Sequence, residues 1–375
     1  MNRIVLSEKD LLNLFGMTIL SVVFFGLEGI LGIILMQWIT RNSFVEDKAD
    51  KHGIAEAKIS RLGGAVVIGC SLVFLLIDAS APYVSSVEGL LGVSYFAWVG
   101  CLSCALLGLF EDFRNDVLKP RYRLLSKAFI FILSLYLWPE LVPTELNMPI
   151  LDALLAYPSV AWLLTIIFCV GFLNATNMAD GANGLMPGIF FIAFLIFSFE
   201  SDAPVYDILT TTTGFFLIFN VISGRLFLGD AGSYGLGAMV VLSGLMFYSN
   251  GTFSASFMAV LLAYPCIELV ISILRRAVAG ESAFLPDNDH FHNRLHFHVA
   301  KLLHSKTAAN SLTGLIIAAG SSGPALVGYF AGWSSRTDLL WVVIFGAQFL
   351  AYISIFYLAG FNRYASAKVP RQSGG

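Results

Sequence analysis

Four polar clusters stand out in a chain that is otherwise strongly apolar. The first, GLFEDFRNDVLKPRYRLL, offers Glu111 and Asp112, with Asp116 four residues beyond Asp112. On a continuing helix Asp112 and Asp116 share a face, and their mutual repulsion there changes sign if a divalent cation bridges them. Arg121, Arg123 and Lys127 follow. They suit a phosphate cradle at headgroup depth, and they equally suit simple anchoring of a span on its basic side. The second cluster, GFLNATNMADGANGL, sets Asn174, Asn177, Asp180, Gly181, Asn183 and Gly184 between two hydrophobic runs. Amides and a carboxylate at that depth are costly and usually mark a pathway or a site. The glycines let the backbone turn and approach a ligand closely. A plain helical hairpin needs only two or three such residues.

The third cluster, SGRLFLGDAGSYGLG, holds Asp230 between Gly229 and Ala231-Gly232-Ser233, just before an apolar run. Gly-rich backbone at a helix N-terminus suits phosphate oxygens, and a neighbouring Asp suits the Mg²⁺ that accompanies them. Phe227, three residues earlier, is either an interfacial anchor or a stacking surface for a base. The fourth, FLPDNDHFHNRLH, begins a stretch with four of the six histidines, His290, His292, His296 and His298, and with Arg294 among them. Imidazoles closed into a tetrahedron would hold zinc. His and Arg together also bind phosphate through charge-assisted hydrogen bonds. Residue types alone leave both readings open.

The elements that must carry these clusters are membrane helices. Of the 375 residues, 57% are hydrophobic and only 13% charged, with a mean hydropathy of +0.78; soluble domains carry about 25% charged residues. A net charge of −3 gives no reason to expect nucleic acid as a partner. A membrane helix needs about 20 apolar residues, and eleven runs qualify: 11–38, 62–79, 90–110, 128–143, 155–173, 184–199, 205–222, 233–248, 252–274, 310–332 and 338–361. The expected fold is an all-α polytopic bundle forming one integral membrane domain over 1–375, with a short tail at 362–375. MNRIVLSEKD is followed by an apolar run too long for a signal-peptide core. Cys70, Cys101, Cys104, Cys169 and Cys266 all lie in apolar runs. The Cys101-x-x-Cys104 pair lacks the second pair or the His that zinc or redox chemistry wants.

Lys and Arg collect in cytoplasmic loops. Eleven spans place all of the 22 basic residues except Arg3, Lys9 and Arg336 on one side. This predicts the N-terminus outside, the C-terminus in the cytoplasm, and all four polar clusters on the cytoplasmic face. A secondary transporter also uses Gly-interrupted spans and polar residues at depth. It would want its site near the midplane and gates on both sides, whereas the outer loops here are short and lack comparable clusters.

In this order the clusters resemble the polyprenyl-phosphate N-acetylhexosamine-1-phosphate transferases, which include the phospho-N-acetylmuramoyl-pentapeptide transferase. The likeness runs from KISRLGG at 58–64 to the histidines near 298. It is densest in NATNMADGANGL, similar to the family's N-x-x-N-x-x-D-G-x-N-G-L, and continues in FLGDAGS and DNDHFHNRL. Two positions depart from the pattern. The family's paired aspartates read Glu111-Asp112, with Asn115 and then Asp116 following, and its final His-His reads His292-Asn293.

The resemblance implies a UDP-N-acetylhexosamine donor, undecaprenyl phosphate as acceptor within the bilayer, Mg²⁺ with Mn²⁺ as a substitute, and UMP as product. The step would initiate a cell-surface polysaccharide such as lipopolysaccharide or another cell-wall glycan, at a bacterial inner membrane; a homodimer is compatible with it. By similarity Asp230 ligates the metal with Asp112, and Phe227 stacks on uracil. Asp180, Asn174, Asn177, Gly181 and Asn183 border the nucleotide. His290 and His292, with Arg121, Arg123 and Arg294, contact phosphate or sugar. Glu111 or Asp112 assists in-line attack of the lipid phosphate; a two-step route through an aspartyl intermediate is the alternative.

Overall fold

The computed structural model of the protein describes residues 8–42, 46–47, 59–79, 95–114, 118–280, 289–337 and 339–366. Asn115, Asp116, the start of the histidine segment at 284–288, and the end of the tail lie outside them. The architecture is helical: α1 (Glu8–Arg41), α2 (Gly63–Ala79), α3 (Tyr95–Arg114), α4 (Pro120–Leu137), α5 (Pro149–Leu155), α6 (Pro158–Ala179), α7 (Leu185–Glu200), α8 (Pro204–Ser223), α9 (Gly229–Ser249), α10 (Ala255–Leu261), α11 (Ala263–Val278), α12 (Phe291–Val299), α13 (Lys306–Phe330) and α14 (Leu339–Ser366). Among the described residues the β-structure is confined to a two-residue antiparallel ladder, Glu46–Asp47 on Ile59–Ser60, and a single bridge from Ser60 to Leu226.

Among the described residues six helices are long and apolar enough to cross a membrane: α1, α6, α8, α9, α13 and α14. The pair α10 and α11 makes a seventh if it counts as one span, although it bends by 84°. At 1.5 Å per residue, the 17-residue α2 and 16-residue α7 fall short of the ~30 Å hydrocarbon core. The helix expected at 128–143 instead runs Pro120–Leu137. Pro120 in the first turn costs no hydrogen bond there, so the helix starts before the basic residues. Arg121, Arg123 and Lys127 therefore ride on a helix rather than in a loop.

α9 is the axis of the bundle: 89% of its span is buried, against 17% for α14. Gly232, Ser233, Gly235, Gly237, Ala238, Ser243 and Gly244 keep its surface thin, and small residues let membrane helices approach closely. A Cβ added at Gly64 of α2 would lie 2.0 Å from the Gly232 Cα, and one at Gly108 of α3 would lie 2.2 Å from the Asp230 carbonyl oxygen. The peripheral helices instead present large apolar side chains outward, such as Val23, Phe24 and Leu27 on α1 and Leu350 and Leu358 on α14.

The break between α10 and α11 is repaired by α13. Ser321 Oγ accepts the Tyr264 N–H at 2.9 Å, and the Ser322 hydroxyl donates to the Leu261 carbonyl at 2.7 Å. Such repair is what makes a broken helix tolerable inside a bundle. All five cysteines are free. Cys101 and Cys104 are fully buried on α3, consistent with small packing residues.

Candidate active site

The site forms at the N-terminal end of α9. Asp230 stands in the first turn, where unpaired N–H groups favour negative charge. The capping acceptor for that end comes from another helix. Asp112, at the end of α3 and 0% exposed, accepts the Asp230 N–H on Oδ1 at 3.0 Å and the Ala231 N–H on Oδ2 at 2.9 Å. Gly229 permits the approach. Its φ is +71°, and a Cβ there would meet the Arg61 carbonyl oxygen at 2.1 Å and Asp112 Oδ2 at 2.9 Å.

The segment before Asp230 is held just as tightly. Phe227 N–H donates to the Ser60 carbonyl, Gly63 N–H to the Phe227 carbonyl, and Gly64 N–H to the Leu228 carbonyl, at 2.9, 2.9 and 2.8 Å. Buried Asn220 completes the clamp: its amide donates to the Leu226 carbonyl at 2.8 Å and accepts the Gly184 N–H at 2.6 Å. Phe227 is half-buried between buried Leu226 and Leu228, and its ring touches no other aromatic ring among the described residues.

The end of α6 supplies the second side. Asn177 donates from Nδ2 to Asp230 Oδ1. Asp180 caps the C-terminus of α6 and accepts the Gly229 N–H. Withdrawal from water holds the Asp180 carboxyl well above the usual carboxylate range. The Gly229 hydrogen bond and Arg61 oppose this, while the charges of Asp230 and Asp112 add to it. Asp112, Asp180 and Asp230 thus gather around three residues of backbone.

Arg61 sets positive charge against Asp112 and Asp180, and Lys127 sets it against Asp230. Lys127 is 1% exposed, donates to Asn174 Oδ1 at 2.8 Å and lies 3.6 Å from the centroid of the Tyr234 ring. Asn174 in turn donates to the Val170 carbonyl of its own helix. Glu111 and Asp112, adjacent in sequence, serve different partners. Glu111 accepts the Leu118 N–H at 3.1 Å and pairs with Arg123 Nε at 3.1 Å. That pair is ionic rather than an aligned hydrogen bond, because the Arg123 N–H points at the Leu118 carbonyl. Arg121 is exposed and lies along the Tyr122 ring.

The histidine helix α12 closes the third side. His290 and His292 are both buried and stack with centroids 5.5 Å apart and planes 15° apart. His290 Nδ1 bonds Glu268 Oε1 at 3.0 Å, and His292 Nδ1 bonds the Tyr264 hydroxyl at 3.0 Å. A Cβ on Gly181 would come within 2.2 Å of His292 Nε2, so the imidazole rests directly on that glycine beside Asp180. His298 Nε2 instead faces the Ala359 carbonyl at 3.0 Å. The four histidines do not converge, which removes the tetrahedral zinc reading.

Two expected site residues are engaged elsewhere. Arg294 donates to both oxygens of Asp289 and to the Phe356 carbonyl, and its guanidinium lies 3.7 Å over the Phe356 ring. It ties α12 to α14. Asn183 is buried and donates to Ser311 Oγ of α13 at 3.3 Å, which seats the α6–α7 turn. Lys127 stands with Arg121 and Arg123 in the phosphate cradle that the sequence suggests, whereas Glu268 goes unremarked there. Lys127 had a visible signal, being a lysine one residue from an apolar run, and it reads equally as a loop anchor. Glu268 is a lone carboxylate inside an apolar run, and intramembrane acids are functional by default.

Among the described residues no three His, Cys, Asp or Glu side chains converge as a metal cage. The donors at the α9 end are nonetheless all hard oxygens, and three carboxylates crowded together call for positive charge. Mg²⁺ usually takes one or two carboxylates, keeps several waters and completes its shell with substrate phosphates. The residues fit such an ion.

Fold and site therefore define a polytopic helical membrane protein with a carboxylate-lined polar site at one end of the bundle. Residues 94–250, from α3 to the end of α9, match glycosyl transferase family 4. The chain is similar to several polyprenyl-phosphate sugar-1-phosphate transferases. It is 29% identical over 212 residues, 52% of this chain and 56% of the relative, to a "probable undecaprenyl-phosphate N-acetylglucosaminyl 1-phosphate transferase" of Bacillus subtilis. It is 32% identical over 128 residues, 34% of this chain and 40% of the relative, to the undecaprenyl-phosphate alpha-N-acetylglucosaminyl 1-phosphate transferase of Thermotoga maritima. A longer match, 24% identical over 303 residues, covers 74% of this chain and 90% of the phospho-N-acetylmuramoyl-pentapeptide-transferase of Staphylococcus carnosus. The chain spans about half the length of the first two relatives.

Proposed function

We propose that the protein transfers an N-acetylhexosamine 1-phosphate from a UDP-linked donor to undecaprenyl phosphate and releases UMP. The observation that carries this reading is the meeting of Asp112, Asp180 and Asp230 at the α9 N-terminus, with Asn177, Lys127 and the His290–His292 pair around them. The relatives' names supply the substrate class.

The acceptor phosphate has a second pKa of about 6, so it is a nucleophile at neutral pH without a base. Its oxygen forms a bond to the β-phosphorus. The bond from that phosphorus to the bridging oxygen breaks, and UMP leaves with the electron pair. Mg²⁺, held by Asp230 with Asp112 or Asp180, would supply Lewis-acid neutralisation of the pyrophosphate. Lys127 offsets charge on the approaching phosphates. The stacked histidines contact phosphate or sugar, and Phe227 offers its face to uracil. Glu111 acts at one remove by holding Arg123 and the Leu118 backbone. Asp112 holds the α9 N-terminus, and with it Asp230, in place.

The same reading places the site on the cytoplasmic face of a bacterial inner membrane, with eleven membrane-embedded segments, the N-terminus outside and the C-terminus inside. The distribution of Lys and Arg supports it. Purified protein should release UMP from UDP-N-acetylhexosamine only when polyprenyl phosphate and Mg²⁺ are present, and Asp230→Asn should abolish that release. UMP formation without the lipid, or near-normal turnover by the variant, would refute the assignment.

A further inference from the structure

Glu268 is a buried carboxylate that the proposed chemistry does not use directly. It lies on α11, 0% exposed, and each of its oxygens is engaged. Oε1 accepts the Ser272 hydroxyl at 3.2 Å and faces His290 Nδ1 at 3.0 Å. Oε2 accepts the Phe291 N–H at 3.1 Å and the Tyr352 hydroxyl at 2.6 Å. One side chain thereby joins α11, the N-cap and first residue of α12, and α14. Burying a carboxylate this completely costs several kcal/mol unless its lone pairs are satisfied. Ser272, Phe291 and Tyr352 each donate a proton to it, so it acts as an acceptor throughout and the proton at the His290 contact belongs to Nδ1.

We propose that Glu268 is a positioning residue of the site: it fixes the Nδ1–H form and ring orientation of His290, and through the stack it fixes His292 on Gly181 beside Asp180. The physical pattern is that of a carboxylate behind an imidazole, which locks the tautomer and the ring plane and leaves Nε2 as the working atom. The Tyr264 hydroxyl holds His292 Nδ1 at 3.0 Å and so fixes that ring's orientation, though not its tautomer. Both supporting groups lie on α11, directly after the break at Leu262, so the bend brings them beneath α12. A straight α10–α11 rod would direct the stretch that carries Tyr264 and Glu268 elsewhere. This gives the broken helix a purpose within the site.

The role in turnover rests on the transferase reading, whereas the Glu268–His290 coupling can be tested without it. In protein labelled with ¹⁵N-histidine, the His290 signals, assigned by their loss in His290→Gln, should report the Nδ1–H tautomer and should change in Glu268→Gln. Unaltered His290 signals in that variant would overturn the coupling whether or not the protein transfers sugar phosphate. In turnover, removing a group that supports a working residue costs about 10- to 100-fold, and Glu268→Gln should lose kcat/KM in that range, with Glu268→Asp recovering part of it. A double-mutant cycle separates positioning from mere stability. If Glu268 acts through His290, Glu268→Gln combined with His290→Gln should be no slower than His290→Gln alone, within about threefold. Losses that multiply would show that Glu268 only holds the fold together and would overturn the proposal. Should Glu268→Gln fail to accumulate folded, the same cycle and spectra are run with Glu268→Asp. A wild-type protein that releases no UMP would sink the transferase reading and leave the spectroscopic result standing.

Discussion

Asp112 is where the structure departs most from a reading of catalytic carboxylates as simple metal ligands, and Asp112→Asn tests it. The carboxylate takes one N–H on each oxygen, from Asp230 at 3.0 Å and Ala231 at 2.9 Å. Asparagine keeps one acceptor oxygen and turns an NH₂ toward the other N–H. That buried N–H is left unpaired, at about 1–3 kcal/mol, and the remaining bond loses its charge assistance. The favourable interaction with the helix N-terminus, ~0.3–1 kcal/mol and up to ~2 when partly buried, goes as well. Relief of repulsion from Asp180 and Asp230 acts in the opposite direction. A net local loss of about 2 kcal/mol follows from these ranges, which corresponds to roughly 30-fold in an opening equilibrium.

Hydrogen–deuterium exchange of the peptide covering 226–235 should therefore accelerate by about that factor in Asp112→Asn, with peptides of α13 and α14 unchanged. Turnover should fall with it, because Asp230 is no longer held. Asp230→Asn is the contrasting variant: Asn177 can still donate to it and the cap is intact, so exchange should stay at the wild-type level while turnover is lost. If Asp112→Asn leaves exchange across 226–235 unchanged, the capping role is wrong and Asp112 acts only on ligands.

Three further outcomes are expected. Phe227→Ala should raise the KM for the UDP-sugar and weaken UMP inhibition about 5- to 150-fold, the equivalent of ~1–3 kcal/mol of base stacking. Phe227→Trp should retain most of the affinity and Phe227→Leu should lose it; equal UMP binding by Leu would make Phe227 only an anchor. Gly181→Ala should displace His292, since the new Cβ falls within 2.2 Å of Nε2. Overpacking of this kind costs about 1–3 kcal/mol, so kcat/KM should drop at least tenfold in protein that still elutes as a folded species, and unchanged kinetics would refute the contact. Asp180 is held well above the usual carboxylate range in the fold, so the folded protein keeps this proton at a pH where the unfolded chain, near ~3.9, has lost it. Metal-free protein should then lose stability as pH rises from that unfolded value through the folded one. Asp180→Asn should flatten the Tm–pH slope in EDTA, and equal slopes would count against the clustering of Asp180 with Asp112 and Asp230.

Much of this protein is legible along the chain because the physics involved is local. Hydropathy in windows of about 20 residues marks the helices, since lipid leaves the backbone no other partner. Glycines beside carboxylates and amides mark the turns that approach a ligand, and the order of NATNMADGANGL, FLGDAGS and the histidine segment carries the family likeness. Apolarity begins only after Lys127 and so does not mark the start of α4, which Pro120 in the first turn has already opened. Pairing across the chain was out of reach altogether. Glu111 and Asp112 look like one acidic pair and serve different partners, because successive helical residues point about 100° apart. Arg294 reads as a phosphate ligand and is consumed by Asp289 and Phe356. Lys127, Asn220 and Glu268 are buried polar groups whose meaning lies in partners 36 to 47 residues away or on other helices. The sequence by itself determines which groups are available and that they must lie among membrane helices. Only the tertiary structure decides which of them face one another, because a buried charge or amide takes its role from the acceptor or donor that packing brings within 3 Å.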